Sequence, residues 1–165
     1  MTEIEISKAS EIEYNALKAE QRQRIKTRDN MLYLQVASIV GLSTIFENFS
    51  IQVVALILPF VSFVFGWKYY INDQKVSEIA GYFKLFSDTH GVFGFEKSVK
   101  KSKLRRVRKY VEFSLRTILF VFPIVACAFF FGFWQDTTAL SLCASVIYGV
   151  SGLILFAFFL SEIDA

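Results

Sequence analysis

Two long apolar stretches interrupt an otherwise polar chain. Residues 31–67 contain one charged side chain, Glu47, and residues 117–160 also contain one, Asp136. About 20 helical residues cross the roughly 30 Å of hydrocarbon in a bilayer, so each stretch is divided best at its polar point. Backbone groups that face lipid must pair within their own segment, which requires helices. The predicted spans are residues 31–46, 51–71, 113–134 and 138–160.

Helical patterns continue outside the spans. Ser10 and Glu13 fit a capping box, so a helix is predicted to begin at Ser10 and to continue into the first span. After the second span, apolar residues recur at helical spacing in residues 76–86. Residues 88–94 predict a loop, because glycines break the helix and an aspartate favours a turn. The helical pattern resumes at Lys97.

Together these elements predict an all-α fold: an integral membrane four-helix bundle of two helical hairpins with cytoplasmic helical extensions. The order is a cytoplasmic N-terminal helix, a first transmembrane hairpin, a cytoplasmic amphipathic and basic helical connection, a second transmembrane hairpin and a cytoplasmic tail. The corresponding ranges are 1–30, 31–71, 72–112, 113–160 and 161–165.

Composition and charge support a membrane location and give the chain a direction. The 165 residues are 54% hydrophobic and include 19 Phe, which is too apolar for a water-soluble domain of this size. Of the 18 Lys and Arg residues, six lie in residues 1–30 and twelve in residues 68–116. Neither hairpin connection contains any. The positive-inside tendency therefore predicts that both termini are cytoplasmic and that both hairpin turns face outward.

The strongest local signal is a basic segment, residues 97–109, in which eight of thirteen residues are Lys or Arg. Near anionic lipid headgroups each cation contributes about 1 kcal/mol, so the segment fits lipid contact and topology determination. Clustered cations also fit the docking of an acidic cytosolic protein partner or a phosphorylated ligand. Nucleic acid is disfavoured, because no aromatic interleaving accompanies the charges. The residues expected to make these contacts are Lys100, Lys101, Lys103, Arg105, Arg106 and Arg108.

Glu47 and Asp136 lie at the two predicted outer turns. Polar residues are needed at such turns in any case, so an ordinary turn role is one interpretation. In a homo-oligomer, a ring of identical carboxylates at an outer mouth would favour cations, which is the other interpretation.

Small residues recur along one face of the predicted fourth span. Such residues let another backbone approach closely, so this face is predicted to pack against a neighbouring helix. The neighbour belongs either to the same chain or to another copy in a homo-oligomer. The residues are Ser141, Ser145, Gly149 and Gly152.

Pro59 and Pro123 fall inside the predicted second and third spans. Each removes a backbone amide and weakens a helical turn. We therefore expect a kink or a hinge at each proline.

Nothing in the sequence predicts catalysis. The single histidine, His90, lies in the predicted loop, and the two cysteines, Cys127 and Cys143, have no metal-ligand spacing. The chain has no HExxH motif, no phosphate-binding glycine loop and no nucleophile elbow. We expect no catalytic, cofactor-binding or metal-binding residue and predict that the protein is not an enzyme.

Two segments in the first half of the chain carry a resemblance to known proteins. They are residues 13–20 (EYNALKAE) with Arg24-Ile25, and Gly66-Trp67 with residues 71–82 (INDQKVSEIAGY). These segments resemble small multi-span bacterial inner-membrane proteins, some of which look like membrane components of antiphage defence systems. The resemblance implies a protein of the bacterial inner (plasma) membrane that acts with a cytosolic partner, and it transfers no catalytic residue.

Three functions remain open at this point. The first is a homo-oligomeric membrane component of an antiphage defence system that receives a signal or partner on its cytoplasmic helices and perturbs the membrane. Such a response requires a ligand that prefers one packing of the spans over another. The second is a passive membrane scaffold that recruits a cytosolic effector. The third is a small channel or transporter subunit.

Overall fold

The computed structural model describes residues 3–45, 51–90, 104–133 and 139–164, and all of these residues are helical. Side-chain environments are described for residues 11–42, 44, 53–83, 109–132 and 141–161. The described residues contain no strand, which confirms the predicted all-α class.

The described chain forms four helical rods. The first two are α1 (Glu3–Ile45) and α2 (Ile51–His90). The third, called the segmented helix below, consists of α3 (Leu104–Arg116), a π turn (Thr117–Val121) and α4 (Phe122–Phe133). The fourth rod is α5 (Ala139–Asp164).

Two helix boundaries differ from the sequence prediction. Helix α1 begins at Glu3 rather than at Ser10, and glutamates in its first turn favour a helix N-terminus. Helix α2 continues to His90, so the first three residues of the loop predicted at residues 88–94 are helical. Residues 82–90 contain no glycine or proline that would end the helix earlier. The predicted continuation of the N-terminal helix into the first apolar stretch is confirmed, because α1 is one helix of 43 residues.

Three helical segments in the described residues are long and apolar enough to cross a membrane. They are Val53–Phe83, Lys109–Gly132 and Ser141–Ser161. Their length and composition are those of an integral membrane protein. The predicted first span, residues 31–46, is not among them, because the uncharged part of α1, residues 30–45, is shorter than a full span.

Aromatic and branched side chains form the main core between α2, the segmented helix and α5. Its buried members are Tyr69, Tyr70, Phe120, Val121, Ile124, Leu155 and Phe159. Gly66 makes this packing possible, because a Cβ atom at this position would lie 2.6 Å from Leu155 Cδ2 and 3.1 Å from Phe120 Cβ. Any larger residue at position 66 would separate α2 from both neighbouring helices.

The second hairpin, α4 with α5, is held by close approach at small residues. The Ser145 hydroxyl donates a hydrogen bond to the Ala128 carbonyl at 2.9 Å. A Cβ atom at Gly152 would lie 3.3 Å from Val125 Cγ2. At these two residues the small-residue face of the fourth span lies against α4. In contrast, a Cβ atom at Gly149 would have no other atom within 4 Å, so contact of Gly149 with a second copy stays a prediction.

The packing of α4 on α5 predicts a cross-link. A Cβ atom at Gly132 would lie 3.9 Å from Ser145 Cβ, which is within the range of Cβ separations in disulfides. With Cys127→Ala and Cys143→Ser in the background, the pair Gly132→Cys and Ser145→Cys should oxidise fully. Maleimide labelling after mild oxidation would measure this, because neither thiol should then remain free to react. The matched control is Gly132→Cys with Gly149→Cys, which should keep both thiols, and equal oxidation of the two pairs would contradict the packing.

A buried polar seam as the candidate functional site

A buried carboxylate joins three helical rods at one level. Asp73 on α2 accepts a hydrogen bond from Arg28 Nη1 of α1 at 2.8 Å through its Oδ1 atom. Its Oδ2 atom lies 2.9 Å from Arg116 Nη2 at the end of α3. Asp73 and Arg116 are each 8% exposed, so this is a buried pairing rather than a surface one. These three residues are called the arginine cluster below.

Aromatic and acidic groups complete the surroundings of the arginine cluster. The guanidinium carbons of Arg28 and Arg116 lie 5.9 Å and 5.0 Å from the centre of the Tyr69 ring. Both distances are in the range of cation–π attraction, which adds to the ion pairs. Asp29 lies 3.2 Å from Arg28, and Glu112 lies 3.8 Å from Arg116. Two cations therefore face three carboxylates around one ring.

The charge state of Arg28 is fixed by this environment. Burial alone lowers the pKa of the Arg28 guanidinium, whereas the hydrogen bond to Asp73 and the nearby carboxylates raise it. The net result is a pKa above the usual range of arginine. Arg28 therefore stays cationic at any physiological pH.

A second polar contact lies deeper in the bundle. Gln35 on α1 and Ser62 on α2 are both completely buried. The Gln35 amide nitrogen donates to the Ser62 hydroxyl at 2.7 Å and to the Leu119 carbonyl oxygen at 3.0 Å. In a bilayer an unpaired polar group has no water to bind, so these bonds hold α1 against both α2 and the π turn. Together, the arginine cluster, Gln35, Ser62 and the Leu119 carbonyl form the polar seam.

The helical repeat explains why the seam occupies one face of α2. Ser62, Gly66, Tyr69 and Asp73 follow the spacing of a single helical stripe, and all four are buried. On α1, Arg28 and Gln35 lie seven residues apart and so share a face. Eleven residues separate Ser62 from Asp73, which places the two polar levels roughly 16 Å apart along α2.

The Leu119 carbonyl is available to Gln35 because of Pro123. In an α-helix the carbonyl of Leu119 would accept the amide of residue 123, and proline has no amide hydrogen. The helix also widens just before this proline, where the Phe122 amide donates to the Thr117 carbonyl in the π pattern. Gln35 thus gives the Leu119 carbonyl a donor in place of the missing Pro123 amide. The kink or hinge predicted at Pro123 takes the form of this π turn with an external hydrogen bond.

Chemically, the seam can hold charge and orient helices. In the part of the chain that the structure describes, no three His, Cys, Asp or Glu side chains converge to hold a metal ion. Cys127 is buried and Cys143 is exposed, and both are free thiols. The seam resembles the polar sites inside membrane helices that are expensive to bury and serve in function.

The site residues predicted from the sequence are distributed differently. Glu47 and Asp136 at the predicted outer mouth lie outside the described residues, as do Lys100, Lys101 and Lys103. Arg105, Arg106 and Arg108 lie on the first two turns of α3, and their side chains are outside the described set. Ser141 is buried. Lipid or partner contact by the basic segment stays a prediction.

Sequence reasoning missed the seam itself. Arg28, Asp73 and Arg116 each lie close to a predicted span end, where single charges are common and attract no notice. A sharper signal was available in Gln35, a polar residue inside an apolar run, and in the stripe that connects Ser62 to Asp73.

Comparison with protein-family models, curated proteins and solved structures finds no match to this chain. A function for the chain is therefore inferred from its own residues.

Removal of the Asp73 charge should destabilise the bundle strongly. Asp73→Asn would leave the buried guanidinium of Arg116 and the partly buried one of Arg28 without their shared carboxylate, a kind of loss that costs about 3–5 kcal/mol for a buried pair. Denaturant titration of the purified protein in detergent would measure the change in the free energy of unfolding. The control is Glu78→Gln, whose partner Lys75 is 2.6 Å away in an exposed pair. That substitution should cost about 1 kcal/mol or less, and equal effects of the two variants would contradict a structural role for the arginine cluster.

Proposed function

We propose that the chain is a four-span protein of the bacterial inner membrane that converts a cytoplasmic signal into a change of the membrane bundle. Both termini lie in the cytoplasm, and α1 supplies the fourth span beside the three apolar segments. The protein acts as a homo-oligomeric component of an antiphage defence system and has no enzymatic activity. Each part of this proposal has its own support.

The fourth span is supported by the pairing of α1 with α2. Arg28 pairs with Asp73, and Gln35 pairs with Ser62 further along, so α1 runs antiparallel to α2 at the level of an apolar segment. Residues 30–45 of α1 carry no charged side chain. The distance from Arg28 to Ile45 is roughly 25 Å at 1.5 Å per residue, which is close to the thickness of the hydrocarbon core.

On the side of the arginine cluster away from Gln35, α1 and α2 continue to pack against each other. This part, residues 13–27 of α1 and 74–83 of α2, is called the projection below. Tyr82 donates a hydrogen bond to Glu13 at 3.0 Å, and the Tyr14 and Phe83 rings lie 4.9 Å apart. The Lys18 ammonium lies 4.6 Å from the centre of the Phe83 ring. The cationic flanks place this projection in the cytoplasm, where a partner or ligand can reach it.

The observation that carries the proposal is the arginine cluster. It connects the projection to the segmented helix, because Asp73 holds Arg28 of α1 and Arg116 of α3 at once. A partner that moves α1 relative to α2 must therefore change the contacts of a membrane-crossing helix. This is the physical connection that a signal-driven membrane effector needs.

A homo-oligomer needs an outer surface on which a second copy can pack, and the described spans have an apolar one. Large apolar side chains such as Phe60, Val146 and Leu153 are each more than 60% exposed on the single chain. Lipid covers such a surface as well as a second copy does, and Gly149 adds a point of close approach on α5. In the oligomer, Glu47 and Asp136 face the outer mouth, and the basic segment faces anionic headgroups and the cytosolic partner.

A passive scaffold is the second candidate. The projection and the basic segment would then hold a cytosolic effector, and the spans would serve only as an anchor. The eight cations of the basic segment favour such a contact, because clustered cations fit the docking of an acidic partner. The two candidates differ in whether the bundle itself changes the membrane.

Topology is tested with inserted tags. Tags at Asn48 and at Asp136 should react with membrane-impermeant reagents from outside the cell, because both hairpin turns face outward. A tag added at the C-terminus should react only after the membrane is permeabilised. Labelling of position 48 only from the interior would contradict a span formed by α1.

Function is tested by the membrane potential. Induced expression should depolarise the inner membrane, and a voltage-sensitive dye would report the loss of potential. Asp73→Asn, which releases both arginines, should depolarise faster than the parent chain at equal protein level, and Glu78→Gln should behave as the parent does. An unchanged potential in every variant, with protein present in the membrane, would support the scaffold and overturn the effector role.

A further inference from the structure

We propose that the π turn is a two-register joint and that the Gln35 amide holds it in the register seen here. In the second register the segmented helix becomes α-helical throughout, and Arg116 turns away from Asp73. This inference rests on the proposed function, for which it supplies the moving part.

Two hydrogen-bond registers are available at the joint. In the structure the Phe122 amide donates to the Thr117 carbonyl, five residues earlier. In an α-helix the same amide would donate to the carbonyl of Ile118, four residues earlier. Both arrangements satisfy the amide, so they differ by packing and by the bonds of neighbouring groups. π turns of this kind occur as single turns inside α-helices and are frequent at functional sites.

Gln35 favours the observed register. Its amide nitrogen reaches the Leu119 carbonyl at 3.0 Å while it also binds Ser62, and both side chains are fully buried. Pro123 keeps the Leu119 carbonyl without a helical amide, so the acceptor remains dependent on α1. In the α register the Leu119 carbonyl would also lack the Pro123 amide, so the advantage of the observed register is the Gln35 bond itself, and withdrawal of Gln35 removes that advantage.

A change of register acts on the arginine cluster. Conversion of a π turn to α-helix adds about one residue of helical rotation, or roughly 100°, between the two sides of the joint. Side chains on α3 would move by about 8 Å at the helix surface relative to α4. Ile124 of α4 packs against Gly152, and Phe120, at the α4 end of the π turn, packs against Gly66. For this reason α4 is the fixed side and α3 is the side that turns. Arg116 then leaves Asp73.

The same movement of α1 controls both polar levels. Arg28 and Gln35 lie on one face of α1, so a displacement of this helix by a partner at the projection draws on both contacts. The joint therefore responds to a signal at the projection, although the joint itself lies further along the bundle, at the level of Gln35.

Two opposite variants and one control test the joint. Gln35→Leu removes the amide and should shift the ratio of the two registers on the order of tenfold towards α. Deletion of Ile118, which is 60% exposed, removes the extra residue and should leave one continuous α-helix with both flanks in their present positions. The control is Ser38→Ala, one turn further along α1, whose hydroxyl donates to the Leu34 carbonyl of the same helix. Gln35→Met serves in place of Gln35→Leu if that variant does not fold.

Spin-label distances in nanodiscs give the structural readout. With Cys127→Ala and Cys143→Ser in the background, a first pair of labels at Lys75→Cys and Ser114→Cys spans the joint. A second pair, at Lys75→Cys and Phe122→Cys, lies on one side of it. Gln35→Leu should give the first pair a second distance, which differs from the first by several ångströms. The second pair should keep its distance, and Ser38→Ala and the Ile118 deletion should each show one distance for both pairs.

The two variants combined separate this inference from the proposed function. Gln35→Leu should depolarise the membrane faster than the parent chain does. If the joint drives this increase, addition of the Ile118 deletion should abolish it. Unchanged distances in Gln35→Leu, or equal depolarisation with and without the deletion, would overturn the joint. A second distance with no depolarisation in any variant would instead retain the joint and overturn the effector role.

Discussion

One buried carboxylate between two guanidinium groups sets the relative positions of α1, α2 and the segmented helix. A charge in this position must have its partners, because the desolvation penalty of an unpaired ion exceeds most packing energies. The pairing of Asp73 with Arg28 and Arg116 therefore permits few registers of the three helices. Apolar packing alone is tolerant of sliding and rotation, since one branched side chain fills space much as another does. The arginine cluster supplies the specificity that the surrounding Phe and Leu residues lack.

Proline imposes the second constraint. Pro123 removes a backbone donor inside a membrane-crossing helix, and the resulting free carbonyl at Leu119 has no water to bind there. The chain meets this requirement from another helix, through the Gln35 amide, rather than by a local side chain. A defect in one span thus becomes an attachment point for another. The π turn, the proline and Gln35 are consequently one device, although they lie on two separate helices.

The sequence predicts the rods better than the contacts between them. Long uncharged runs indicate where helices cross a membrane, and three of the four predicted spans overlap the segments that meet the length and composition of a span. Ser145 and Gly152 lie against α4, whereas a Cβ atom at Gly149 would meet nothing within 4 Å, because periodicity defines a face but not its partner. Asp73 is paired with residues more than 40 positions away on both sides, and no local pattern carries that information. The π turn is equally hidden, because a single extra residue leaves hydropathy unchanged and only Pro123 indicates its place.

Two types of polar contact between helices occur at different levels of the bundle. From the projection to the level of Gln35, the contacts join side chains of different helices, and each of these three levels includes a residue of α1. Further along, the contacts in the described residues are hydroxyls on backbone carbonyls, such as Tyr148 on Leu56 and Ser145 on Ala128. Hydroxyl bonds of this kind fix distance between helices without coupling one charged group to another. A displacement of α1 can therefore be passed on by polar groups as far as the π turn. Beyond that point it continues only as rotation of a helix, so in the proposed function the joint is the place where a signal at the projection becomes a change in the spans.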